Sequence, residues 1–110
     1  MLRLYRAVSA AEFADIAACG GFRPCPNSLQ GKWFAEMLEA ARRWGESLYP
    51  GGLFHVVQFD IPLDVADQMF RLASLDQIGP ARYAEDGVLT LINQQHQGIT
   101  EVPLTITGGP

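Results

Sequence analysis

The chain has 110 residues, 48% hydrophobic and 18% charged, a globular composition at the size where one core forms without metals or disulfides. Its net charge of −4 gives no field that would draw it onto a nucleic-acid backbone, and its longest basic run is Arg42-Arg43, so no nucleic-acid partner is expected. No apolar run reaches the roughly 18 residues that a membrane span requires, and the opening Met1 to Arg6 is too short and too interrupted by arginine for a signal peptide.

Residues Leu2 to Val8 alternate and are rich in β-formers, which predicts a strand. Ser9 and Glu12 then have capping-box spacing, with Val8 and Phe13 at the staple positions, and Gly20-Gly21 ends the helix they open. Phe22 to Gln30, with Pro24, Pro26 and Asn27-Ser28, reads as an ordered loop. A short apolar segment, Lys32 to Ala35, leads into a helix from Glu36 to Trp44. Its apolar stripe is Leu38, Ala41, Trp44 and Leu48, with glutamates early, arginines late and Glu39 within reach of Arg43.

Tyr49 to Gly52 is a turn, and Leu53 to Ile61 is the strongest strand candidate. Pro62 opens a helix whose stripe is Val65, Met69 and Leu72, followed by a loop over Ser74 to Pro80. Ala81 to Ala84 forms a short strand, Glu85-Asp86 opens a helix closed by Gly98, and Ile99 to Ile106 is an edge strand carrying Pro103. The Gly108-Gly109-Pro110 tail is expected to fray. Strands and helices mix without a βαβ rhythm, so the expected class is α+β, in one domain over residues 1–110.

Cys19 and Cys25 are too few for a disulfide framework, and no second Cys/His pair supplies zinc ligands. Free thiols, a reducing cytoplasm and no metal are expected. Phosphate loops, dinucleotide fingerprints, zincin helices and nucleophile elbows are all missing from the sequence. His55 falls inside the strongest strand, where a histidine is more often structural than a ligand. His96 falls at a helix end, where a cation suits the last carbonyls.

What remains is a set of polar and aromatic residues in a suggestive order. Arg6 is on the first strand, Asn27 and Ser28 in a loop, Lys32, Trp33 and Phe34 on a short strand, and Glu101 on the last. The run Gly31-Lys32-Trp33-Phe34-Ala35-Glu36-Met37, followed by Ala40, Ala41 and Trp44, resembles the core motif of the ADP-ribosyltransferase superfamily. Leu4-Tyr5-Arg6-Ala7 is similar to the first strand of its bacterial toxin-like members.

The resemblance implies a split mixed or antiparallel sheet with flanking helices, NAD as the small-molecule partner, and a protein target or a cognate inhibitor beyond it. It also implies roles. Trp33 or Phe34 would stack on nicotinamide, since aromatic rings offer flat contact area at low entropy cost. Arg6 would hold ribose or phosphate oxygens through its planar fork, and Lys32 would contact phosphate. Asn27 and Ser28 would add orienting hydrogen bonds. Glu101 would be the carboxylate that stabilises the oxocarbenium-like transition state. Glu85, after Arg82-Tyr83, is a second candidate for that carboxylate. Trp33 and Phe34 are adjacent, so on a strand one of them faces the core. A non-catalytic ligand-binding or interaction domain on the same scaffold is the alternative. An RNA-directed toxin is disfavoured by the acidic charge balance.

Overall fold

Leu2 to Val8 forms a strand, and the rest of the architecture is built outward from it. The computed structural model describes residues 1–22, 31–51 and 53–103. In chain order the elements are β1 (Leu2–Val8), α1 (Ala10–Cys19), β2 (Lys32–Ala35), α2 (Leu38–Leu48), β3 (His55–Ile61), one-turn α3 (Leu63–Ala66), β4 (Phe70–Leu75), β5 (Gly79–Ala84), α4 (Asp86–Gln95) and β6 (Thr100–Val102). The strands form one six-stranded sheet in the order β4-β5-β2-β1-β3-β6. Every neighbouring pair is antiparallel, so the fold is α+β, and the sheet is antiparallel rather than mixed. Among the described residues no helix is long and apolar enough to cross a membrane.

Alternation divides the apolar side chains between the two faces. Leu4, Val8, Phe34, Val57, Phe59 and Ile61 pack with Ile16, Phe22, Val65, Leu89 and Ile92 in the larger core, formed with α1, α3 and α4. Ala7, Ala35 and Val56 face α2, where Ala40 and Ala41 form a smaller core with Trp44 and Phe54 at its margin. The small residues on α2 let that helix lie close to the sheet.

The two halves of the sheet are joined narrowly. β1 pairs with β3 along its whole length, from Leu2↔Ile61 to Val8↔His55, and β2 pairs with β5 from Lys32↔Ala84 to Ala35↔Ala81. Between β1 and β2 the register among the described residues is the single pair Tyr5↔Ala35. Beyond it the ladder does not continue toward Arg6 and Trp33. The site described below is built at this opening.

Four local expectations are revised. First, Ser9 does cap α1, accepting the Glu12 N–H at 3.1 Å, but the Glu12 carboxylate turns away to Arg6 and Lys32 instead of completing the capping box. Second, α2 starts at Leu38, not Glu36, and runs on to Leu48, which leaves Arg42 mid-helix, paired with Glu39 at 3.2 Å. Leu48 is exposed instead of completing the apolar stripe.

Third, the helix expected from Pro62 to Leu72 is a single turn. The chain then enters β4, because Phe70 and Leu72 meet Tyr83 and Ala81 across the sheet. Tertiary strand pairing overrides an apolar spacing that suited either structure. Fourth, the loop expected over Ser74 to Pro80 is a β4–β5 hairpin turn, with Asp76 and Gln77 both at positive φ (54° and 59°) and Ile78 N–H donating to the Leu75 carbonyl at 2.9 Å. The part of the last strand expected beyond Pro103, Cys25 and the tail lie outside the described residues.

Gly31 is required by a close approach. A Cβ there would run into the Tyr83 hydroxyl and lie 2.5 Å from the Ala84 carbonyl oxygen. Backbone cannot yield as a flexible side chain can, so Gly31→Ala is expected to cost about 1–3 kcal/mol. A lowered urea midpoint with an unchanged m-value checks this.

Candidate functional site

Arg6, Glu12 and Lys32 meet on the α1 side of the sheet opening. Arg6 points its fork at the carboxylate, with Nε 2.7 Å from Glu12 Oε2 and Nη2 3.2 Å from Oε1, while Nη1 donates to the Trp33 carbonyl at 2.9 Å. Lys32 Nζ approaches the same carboxylate at 3.4 Å. Arg6 thus fills with its side chain a place where the β1–β2 ladder stops. Its guanidinium carbon also lies 5.9 Å from the centroid of the Phe34 ring.

All three groups are shielded, with side-chain exposures of 20% for Arg6, 19% for Glu12 and 9% for Lys32. Burial by itself pushes the Glu12 carboxyl up, but hydrogen bonding and charge from Arg6, reinforced by Lys32, hold it below the ordinary carboxylate value. The carboxylate is therefore ionised. Among the described residues it balances one of two cations, which leaves one positive charge in a shielded place.

A cavity of about 390 Å³ lies on the α2 side of the opening. Tyr5, Trp33 and Trp44 supply aromatic walls, Arg6 belongs to the lining on β1 while its guanidinium turns to Glu12, and Ser47 and Asp76 complete the polar lining. Its volume is within the usual range for a small-molecule site, and an aromatic lining with a few polar groups is the usual makeup of one. Trp33 is held by Tyr83 (centroids 5.1 Å apart) and by Phe70 (6.3 Å).

The structure brings Arg6, Lys32 and Trp33 together and separates the other candidates from them. Phe34 is corrected from ligand wall to core. Alternation turns it to the face opposite Trp33, where it is fully buried with its ring 5.0 Å from Phe22 and 5.2 Å from Phe59. Glu101 shares a cross-strand row with Arg6 through Val57, two strand spacings or roughly 10 Å away. Its carboxylate turns to His55 Nδ1 at 2.7 Å, beside a separate groove under α1. His55 in turn stacks on Phe13, with centroids 4.3 Å apart. Glu85 stands one residue beyond Ala84, the partner of Lys32, and lines a smaller recess with Tyr83. Asn27 and Ser28 lie outside the described residues.

At the end of α4 the His96 ring is held between backbone groups, its Nδ1 accepting the Gly98 N–H at 2.9 Å and its Nε2 lying 2.9 Å from the Gly20 carbonyl oxygen. Among the described residues no group of three or more His, Cys, Asp or Glu side chains could hold a metal ion, and Cys19 is a free thiol.

Glu36 forms a second, structural cluster, accepting from Arg71 Nε at 2.7 Å and Arg82 Nε at 2.8 Å. The Arg71 hydrogen bond, with burial opposing it and Arg82 assisting, lowers the Glu36 carboxyl from its ordinary value. Arg82 also donates to the Ala66 carbonyl at 2.8 Å, tying α3 to β5.

Glu12 and Tyr5 escaped the reading of the sequence. Glu12 carried a sufficient local explanation as a capping residue, and only the fold brings it to Lys32. Tyr5 was one alternating strand residue among several. Comparison with family models, with curated protein sequences and with solved structures finds no match for this chain.

Proposed function

We propose that the chain is an NAD-binding domain of the ADP-ribosyltransferase-like type, working in the cytoplasm, with the dinucleotide bound at the opening between β1 and β2. One observation carries this reading. Among the described residues a shielded cluster sets one carboxylate against two cations, an aromatic cavity of about 390 Å³ lies across the sheet opening from it, and Arg6 contributes to both. Phosphate oxygens suit the cationic side, where charge-assisted hydrogen bonds are strongest, and a flat heteroaromatic ring suits the space beside Trp33.

For the carboxylate of an NAD-cleaving reaction, the geometry favours Glu85 over Glu101. Glu85 follows the strand paired with β2, whereas Glu101 is engaged by His55 across the β1–β3 half of the sheet. Glu85→Gln is expected to lower nicotinamide release from NAD at least a hundredfold, with Glu101→Gln within about threefold of the parent, since removing an electrostatic stabiliser costs on the order of 10² in rate. Chromatographic assay of released nicotinamide decides. Loss of release in Glu101→Gln with NAD binding retained would return the role to Glu101.

A second reading has its own support: Arg6 and Glu101 are already partnered inside the protein, as they would be in a domain that binds without turnover. Calorimetric NAD binding without any nicotinamide release would select that reading. Neither binding nor release would leave a protein-interaction domain on this scaffold.

A further inference from the structure

Glu12 comes to the β1–β2 opening from a different part of the fold than the two cations it meets there. Arg6 and Lys32 stand on β1 and β2, and the carboxylate reaches them from the first turn of α1. The Arg6 fork is also placed independently of Glu12. Its Nη1 donates to the Trp33 carbonyl at 2.9 Å, and its guanidinium carbon lies 5.9 Å from the centroid of the Phe34 ring. The sheet presents the positive charge, and the helix supplies the anion that covers it.

That carboxylate has a second place to rest. Glu12 follows the N-cap Ser9 by three residues, and the Ser9 hydroxyl accepts the Glu12 N–H at 3.1 Å. A glutamate at this position ordinarily reaches back to the N-cap backbone N–H. It stays beside the positive end of the helix dipole in either position. The first turn of α1 lies at the surface, with Ala10 and Ala11 exposed and Ile16 the buried residue of the helix. A swing of one side chain carries the carboxylate from the cations to the Ser9 N–H.

We propose that Glu12 is a built-in competitor for the diphosphate of NAD, covering Arg6 and Lys32 until the incoming diphosphate displaces it to the Ser9 N–H. The inference rests on the NAD reading above and adds to it the regulation of that site. Charge favours the exchange. One carboxylate balances one of the two cations, whereas a diphosphate brings two negative charges and balances both. Tethering opposes it, because the carboxylate gives up none of the translational freedom that a free anion loses on binding. The apparent affinity of the wild-type chain for a diphosphate is therefore its intrinsic affinity reduced by the fraction of molecules whose cations are uncovered.

The test is calorimetric titration of the whole chain with inorganic pyrophosphate, and separately with NAD, near neutral pH. Glu12→Gln removes the competing charge and is expected to bind pyrophosphate about tenfold more tightly than wild type, as it would if about a tenth of wild-type molecules were uncovered. Glu12→Asp keeps the charge but draws it back by one methylene, and is expected to tighten binding about threefold, which keeps the test open if Glu12→Gln does not fold. In the ¹⁵N-labelled wild-type chain, saturation with pyrophosphate is expected to move the Ser9 amide proton downfield as that N–H gains the carboxylate. A purely structural ion pair gives no such shift.

Equal pyrophosphate affinity in wild type and the variants overturns the inference. So do shifts at Arg6 and Lys32 with the Ser9 amide unmoved, since the anion then adds beside Glu12 without displacing it. NAD that perturbs Trp33 and binds wild type and Glu12→Gln equally overturns the competition and spares the NAD reading. Tighter pyrophosphate binding by the variants, with NAD bound by none of the three proteins, keeps the competition and removes the dinucleotide.

Discussion

Phe34→Ala is expected to cost about 3–5 kcal/mol of folding stability, the usual result of truncating a fully buried phenylalanine. Phe34 touches two other core rings, Phe22 and Phe59, and the cavity left behind would be walled by both halves of the sheet and by the segment after α1. A domain of this size has on the order of 5–15 kcal/mol in total, so the variant should unfold at a much lower urea midpoint or fail to fold. Trp33→Ala, one residue away, should behave differently. Its ring is only partly buried, against Tyr83 and Phe70, so more of the stability should survive than in Phe34→Ala while NAD binding weakens at least tenfold. Urea denaturation and calorimetry on the two variants separate the roles of these neighbours. Equal stability losses would show that Trp33 is core as well.

Glu12→Gln should have the second large effect, a loss of about 2–3 kcal/mol. The substitution leaves Arg6 and Lys32 facing each other in a shielded place with, among the described residues, no anion between them. The sign of the pH dependence follows from the lowered Glu12 carboxyl. A group held below its unfolded value contributes fully above that value, here the ordinary 4.5, and the contribution is lost as pH falls through the lowered folded value. Wild-type stability should therefore decline with acidification below about pH 4.5. Glu36, lowered by Arg71 and Arg82, adds to the decline in the same direction. In Glu12→Gln the decline should be shallower. Urea midpoints at a series of pH values measure it, and an unchanged slope in the variant would remove Glu12 as a source.

Much of the scaffold was legible because local signals agreed with the final packing. The Ser9 cap, the Gly20 stop and the valine-rich run of β3 each had a local cause that the fold preserved. Failures came where two causes competed. The spacing of Val65, Met69 and Leu72 suited a helix, but Phe70 and Leu72 are taken by cross-strand partners that no local window contains. Glu12 suited a capping box, yet two cations carried close by β1 and β2 outbid the Ser9 N–H. A doubly charge-assisted contact is stronger than one neutral donor.

The candidate site was legible in part for the same reason. Adjacent residues on a strand must face opposite ways, so Trp33 and Phe34 could not both contact one ligand, and the structure gives the core to Phe34. Which of them it would be depends on which side α2 covers, a property of the assembled sheet. Glu101 was chosen by the order of elements alone. Order fixes its strand and its row, but the side chain's direction depends on His55, a partner 46 positions away.

The most direct test of an NAD site at the β1–β2 opening is a titration of the ¹⁵N-labelled chain with NAD, followed by two-dimensional NMR with assigned backbone and indole resonances. The account predicts saturable shifts at Arg6, Lys32 and both the Trp33 and Trp44 indoles, with the amides around His55 and Glu101 little changed. Saturation with all four of those residues unmoved, or shifts confined to the groove beside His55 and Glu101, would contradict it.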